Sequence, residues 1–273
     1  MSGRFVAVGD IHGYVNTLQA LLLQLELLPG DTLLTVGDHI SKGPGSKEVI
    51  DCLLQLRESG IRLIPLMGNH ESMFIDSLRE WTTEKALSQS FPSGFIDDAY
   101  AYRCIPSNGF QAVCSSYGWG QQPESWLLPQ SHREFFASIK THHIERNCLF
   151  IHAGLGREAS EKETVEEAIN TQLQDPHTLL WTRYEIDTPC GFKELIVHGH
   201  TPLFTMKEGV EVNSLEPWKD QEWGLKSVVF NNRLNLDSGV SCKSYQNGHL
   251  TCVEIPEDGN PAKLVFYRQR RVD

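Results

Sequence analysis

The chain has 273 residues, 40% of them hydrophobic and 22% charged, with a formal net charge of −11. That composition is globular, and a chain of this length can bury a sizeable core. It excludes a broad nucleic-acid-binding face, which needs clustered Lys and Arg. No apolar run approaches the roughly 18 residues of a membrane span. The start, Met1-Ser2-Gly3-Arg4-Phe5, has neither the charged start nor the long apolar segment expected of a signal peptide. Seven cysteines without a CxxC pair read as free, mostly buried thiols of a cytoplasmic protein.

The first 80 residues repeat one grammar. Arg4–Val8 predicts a strand ending in Gly9-Asp10. Val15, Leu18, Leu21, Leu22 and Leu25 then fall on one helical face, broken by Pro29-Gly30-Asp31. Thr32–Val36 predicts a second strand, ending in Gly37-Asp38, and Ser46–Leu56 a second helix. Ile61–Met67 predicts a third strand, ending in Gly68-Asn69-His70-Glu71, with a helix starting near Glu71. The pattern β-α-β-α-β implies a parallel or mixed sheet, whose ligands bind at the carboxyl ends of the strands.

Residues 82–130 read as a helical and loop insertion within a single domain spanning 1–273, their aromatics more core than substrate platform. Strands return with Cys148–Ile151 before His152 and Leu195–Val197 before His198-Gly199-His200. Ser227–Phe230, Leu234–Asp237, Leu250–Ile255 and Ala262–Tyr267 follow, which suggests a second, largely antiparallel sheet. Asp10, His12, Asp38, Asn69, His70, His152, His198 and His200 all follow apolar strands. Oxygen and imidazole ligands from five strand ends suit Mn, Fe, Zn or Ni, and the lack of Cys ligands argues against structural zinc.

Taken in order, Gly9-Asp10-Ile11-His12-Gly13, Gly37-Asp38-His39-Ile40-Ser41-Lys42-Gly43-Pro44, Gly68-Asn69-His70-Glu71, Ile151-His152-Ala153-Gly154 and His198-Gly199-His200-Thr201-Pro202 resemble the motifs of the calcineurin-like metallophosphoesterases. Within them the chain is similar to bacterial and phage-type phosphoprotein phosphatases and to symmetrical diadenosine tetraphosphatases. The resemblance implies an α/β fold, a mixed β-sandwich flanked by helices in four layers. It implies two divalent ions per chain, manganese first, with iron, zinc, nickel or magnesium as alternatives. Asp10 and His12 would bind one ion, Asp38 both, and Asn69, His152 and His200 the other. A metal-bridging hydroxide would attack a phosphate monoester as in serine/threonine phosphatases, with a phosphoanhydride as the alternative substrate and a non-catalytic metal- and phosphate-binding role as a further one. His70 would be the general acid; Asn69, Lys42 and Arg183 would contact the substrate, a phosphoprotein or a small phosphate or anhydride.

The chain departs from the family pattern at Ser41-Lys42, where protein phosphatases carry Asp-Arg. The usual Asp orients the general-acid histidine and raises its basicity. His70 is therefore expected to be a weaker base here, unless Glu71 or another carboxylate compensates. Weaker acid catalysis favours anhydrides and aryl esters, whose leaving groups need it less. His39 is a candidate substrate contact and His198 a structural residue. Asn235 and Asp237-Ser238-Gly239 read as a structural closing turn, and His132, His142, His143, His177 and His249 as surface residues.

Overall fold

The computed structural model describes residues 3–81, 108–120, 127–173, 175–183, 191–202, 229–230, 232–242 and 248–273. Ten strands are described, in two five-stranded mixed sheets. The first sheet joins β1 (Phe5–Val8), β2 (Thr32–Thr35) and β3 (Arg62–Pro65) in parallel, then adds β9 (His249–Glu254) antiparallel to β1 and β10 (Val265–Arg270) antiparallel to β9 at the edge. The second runs β4 (His142–Glu145), β5 (Cys148–Ile151), β6 (Leu195–His198), β8 (Arg233–Asn235), β7 (Val229–Phe230).

Period-2 alternation divides the core among three interfaces. Phe5, Ala7, Leu34 and Ile64 of the first sheet face Cys148, Phe150, Leu195 and Val197 of the second. Val6, Val8 and Leu33 point the opposite way, onto α1 (Val15–Leu25), α2 (Ser46–Glu58) and α3 (Asn69–Trp81). This outer core also takes Phe110 and Val113 of α4 (Phe110–Ser116) and Phe135 and Phe136 of α5 (Gln130–Ser138). Leu149, Ile151 and Ile196 pack on α6 (Arg157–Ser160), α7 (Val165–Gln172) and α8 (His177–Trp181). Helices, sheet, sheet, helices make the four layers implied by the motifs.

Local chemistry explains the helix starts. Thr164 Oγ accepts the Glu167 N–H and caps α7. No side chain at its own N-cap serves α1; the Asp273 carboxylate instead accepts the N–H groups of Asn16 and Thr17. Among the described residues, no helix is long and apolar enough to cross a membrane.

The second sheet differs from the antiparallel expectation. Its centre, β5-β6-β8, is parallel, and only the edge strands β4 and β7 run antiparallel. The chain between β5 and β6 holds α6, α7 and α8, and such a crossover returns a strand in the parallel sense. The last two strands leave this sheet for the first. Burial explains the choice: Val253 and Ile255 face the intersheet core beside Phe5 and Ala7. The last strand also starts later than expected, because Pro261–Lys263 forms a 3-10 turn.

Candidate metal centre

The polar residues after β1, β2, β3, β5 and β6 meet at one edge where the two sheets adjoin. Main-chain bonds lock the first loops together: the N–H groups of Ile11 and His12 both donate to the Asp38 carbonyl, at 3.0 and 2.7 Å. The loops are strained. His12, Asp38, Ser41, Lys42 and His200 have φ of +52°, +50°, +77°, +63° and +69°. The left-handed region costs an L-residue roughly 1–2 kcal/mol, so the surrounding bonds must hold each one there. Close approach dictates two glycines. A Cβ at Gly199 would overlap Asp10 Oδ1, and one at Gly68 would overlap Asp38 Oδ1.

Asp38 lies at the centre. His12 Nε2 is 3.5 Å from its Oδ2, His152 Nε2 3.5 Å from its Oδ1, and His70 Nε2 3.9 Å from its Oδ2. Asn69 Oδ1 is 3.0 Å from His152 Nε2 and 3.1 Å from His200 Nδ1. Two groups, His12-Asp38-His70 and Asp38-His152-His200, each offer ligand atoms within 4.8 Å of one another and share Asp38. Asp10 stands outside both groups but is tied to the second: its Oδ2 accepts the His200 main-chain N–H at 3.0 Å.

Carbonyls fix two ring tautomers. His152 Nδ1 donates to Val36 O at 2.9 Å, and His12 Nδ1 donates to Ile40 O at 3.3 Å. Both Nε2 atoms are thereby left as lone-pair donors facing Asp38, the arrangement a ligating histidine needs. Among the described residues, Asp10 Oδ1 and His200 Nε2 are buried without a hydrogen-bond partner. Such atoms are costly unless something binds them. With a donor set of carboxylate, amide oxygen and imidazole, the residues fit a pair of hard or borderline divalent ions.

The electrostatics have the same sense. Burial pushes the Asp10 carboxyl well above its usual range, and Asp237 and Asp38 push it further. Burial pulls His12 and His200 well below the usual histidine value, helped by Lys42 at His12 and by His152 at His200. His70 is pulled down to about 4, again chiefly by burial, with Asp38 opposing. That agrees in direction with the weak basicity expected from Ser41. Lys42 Nζ lies 3.4 Å from His12 Nε2, and Arg183 Nη1 donates to Thr201 Oγ1 at 3.4 Å, beside His200.

Several expectations need correction. His39 touches no open site: it is fully buried, with Nε2 at 2.6 Å from Thr35 Oγ1 and Phe135 against its ring. Glu71 is spent on main-chain N–H groups, so it does not supply the carboxylate missing at position 41. His132 is fully buried, its Nδ1 2.8 Å from Tyr117 Oη and its Nε2 2.8 Å from Asp51 Oδ1. His142, His143 and His249 are half-buried in strands, where alternation turns one side of a residue inward. His177 is exposed, as expected, and His198 ends β6 with Nδ1 near the Gly199 carbonyl. Asp237 does form the turn, accepting the Gly239 N–H, but it is also buried and pushed up to about 6 by that burial. Its mutual repulsion with Asp10 puts it in the electrostatics of the site. The sequence signal was there: it follows β8 as Asp10 follows β1. Of the insertion, 82–107 and 121–126 lie outside the described residues, while Tyr117 and Trp119 pack on the core around Phe74, as expected.

The profile of the calcineurin-like phosphoesterases matches residues 3–230. The chain belongs to that family. Over 65 residues it is 45% identical to a symmetrical bis(5'-nucleosyl)-tetraphosphatase of Cronobacter sakazakii, a match covering 23% of this chain and 22% of that protein. The curated relatives are therefore matched over only about a fifth of their length. Two solved structures share the fold. A cold-active protein tyrosine phosphatase has a TM-score of 0.53 at 16% identity, covering 97% of this chain and 79% of that one. A protein serine/threonine phosphatase from Saccharomyces cerevisiae has a TM-score of 0.53 at 16% identity, covering 100% and 81%.

Proposed function

We propose that the chain is a two-metal phosphohydrolase whose preferred substrates have good leaving groups, phosphoanhydrides first. The observation that carries the reading is the convergence of two ligand groups on a shared, buried Asp38. Asp10, His12 and Asp38 would hold one divalent ion; Asp38, Asn69, His152 and His200 would hold the second. Manganese is the first candidate. A bound pair would supply Lewis acidity and the positive charge that a chain of net charge −11 lacks. The free thiols of Cys52, Cys114, Cys148, Cys242 and Cys252 support a reducing, cytoplasmic setting.

The chain's own residues do the rest. Lys42 brings an ammonium to the His12 side of the site, a point charge without a guanidinium fork. Arg183 offers that fork at the rim, placed by Thr201. His70 hands a proton to the departing oxygen. Ser41 brings no carboxylate to raise its basicity and burial lowers it, so its help as an acid is small. An alkoxide such as serine's needs that help badly; a phosphate or phenolate needs it little. This favours anhydrides, the substrate class named for the tetraphosphatase relative, over the serine/threonine phosphoester reading.

The test is a panel of diadenosine tetraphosphate, polyphosphate, para-nitrophenyl phosphate and phosphoserine peptides, assayed with manganese. Anhydride and aryl substrates should turn over at least about a hundredfold faster than phosphoserine, the low end of what one general acid is worth. The opposite ranking would sink the leaving-group reading, and absence of metal from the loaded protein would sink the whole proposal.

A further inference from the structure

Glu71 lies fully buried in the first turn of α3, and its carboxylate is engaged by the main chain of a different loop. Oε2 accepts the N–H groups of Asp38 at 2.8 Å and Gly68 at 3.0 Å. Oε1 accepts those of His39 at 2.9 Å and Ile40 at 3.2 Å. The His39 imidazole adds Nδ1 at 3.4 Å from Oε1, and its other nitrogen meets Thr35 Oγ1 at 2.6 Å. Phe135 closes the ring edge-on, with centroids 5.5 Å apart. Successive N–H groups aimed at one anion form a nest. This one takes in Asp38 itself, whose φ of +50° needs an external hold.

We infer that Glu71 is a positioning residue for the metal centre: it fixes the turn that carries Asp38 against the turn that carries Asn69 and His70, and His39 with Thr35 fixes Glu71. The inference rests on the proposed role of Asp38 as the shared ligand. Its physical basis is that both oxygens are used, each by two main-chain donors. A neutral amide of the same shape keeps one acceptor oxygen and turns an NH2 group on the other pair. The turn must then shift, and the Asp38 carboxylate shifts with it. Asp38 Oδ1 already accepts the His70 N–H at 3.1 Å, so the two turns are clamped twice: once by Asp38 from below and once by Glu71 from α3. Groups that orient a metal ligand without touching the metal commonly control affinity.

Glu71→Gln separates this role from simple support of the fold. Manganese is titrated calorimetrically into the metal-free full chain, with thermal unfolding and amide spectra measured in parallel. The variant should fold, shift the amide signals of Asp38, His39, Ile40 and Gly68, and bind manganese about 10- to 100-fold more weakly. Turnover should fall with KM little changed. Manganese affinity equal to wild type overturns the inference, whatever happens to the melting temperature. If Glu71→Gln does not fold, His39→Gln carries the test: a smaller loss of affinity supports the inference and unchanged affinity overturns it. Wild-type protein that binds no manganese removes the two-metal reading itself. Wild type that binds, with variants that bind equally, removes only the role of Glu71.

Discussion

The two sheets meet at the site with different chemistry. The first delivers oxygen: Asp10, Asp38 and Asn69 follow β1, β2 and β3, with His12 the added imidazole. The second delivers nitrogen: His152 follows β5 and His200 lies two residues after β6. Burial moves Asp10 and Asp237 up and His12 and His200 down, each towards its neutral form. For a divalent cation the two kinds of group are unequal. Burial favours the neutral, ligating form of His12 and His200, whereas the raised Asp10 carboxyl must give up its proton to bind a cation. The cost of assembly therefore falls on two buried acids, Asp10 after β1 of the first sheet and Asp237 after β8 of the second.

The sharpest way to break this comparison is Asp38→Asn. The amide keeps the shape and the hydrogen bond from the His70 N–H but loses the anion that both ligand groups share. Metal content should fall from two ions per chain, and turnover by at least about a hundredfold, the upper end of losses seen when only the surroundings of a ligand change. Elemental analysis and steady-state rates check it together. Retention of both ions and full activity would remove Asp38 from the centre.

The convergence of these residues was legible in the chain because each candidate ligand comes just after a short apolar run. Six residues scattered from Asp10 to His200 follow parallel strands of two sheets, whose packing brings those strand ends to one edge. What a linear reading does not carry is the direction of a side chain at a strand end. His39 looks like a site residue because it adjoins Asp38, yet the turn that opens Asp38 to the centre rotates His39 into the core against Phe135. His132 looks like a surface residue on a polar helix, but its partners Tyr117 and Asp51 come from 15 and 81 residues away. The sheet membership of β9 and β10 is equally non-local, since it depends on which face Val253 shares with Phe5.

A smaller effect should come from Asp237→Asn. The Asp237 carboxyl sits at about 6 against an ordinary 3.8, so the folded state holds its proton more tightly than the unfolded one. Its stabilising contribution is therefore complete below 3.8 and is lost as pH rises towards about 6; above that the ionised group is a burden. A displacement of that size corresponds to about 2–3 kcal/mol at neutral pH. The amide keeps the Oδ1 that accepts the Gly239 N–H. Metal-free Asp237→Asn should melt several degrees above metal-free wild type at pH 7 and alike at pH 4. The buried histidines titrate in both proteins and cancel from the difference. With manganese loaded the gap should shrink, because the cations favour the ionised acid. A gap that ignores both pH and metal would break the argument that the acids bear the cost.

The smallest effect tests a region remote from the ligands. Burial keeps His132 neutral, and its Nε2–H donates to Asp51 Oδ1 at 2.8 Å, so Nδ1 must accept from the Tyr117 hydroxyl. The chain Tyr117-His132-Asp51 pins the end of α4 and the start of α5 onto α2, with Lys47 Nζ on the other Asp51 oxygen at 2.7 Å. Tyr117→Phe leaves the stacking on Phe74 and Trp119 in place but strands a buried ring nitrogen. The cost should be about 1–3 kcal/mol, read as a lower urea midpoint with an unchanged slope. Manganese affinity should stay at the wild-type value, because the change touches none of the ligand-bearing turns. A loss of metal binding comparable to that of Glu71→Gln would mean that α4 and α5 hold the centre together, and that the nest around Glu71 is not its main brace.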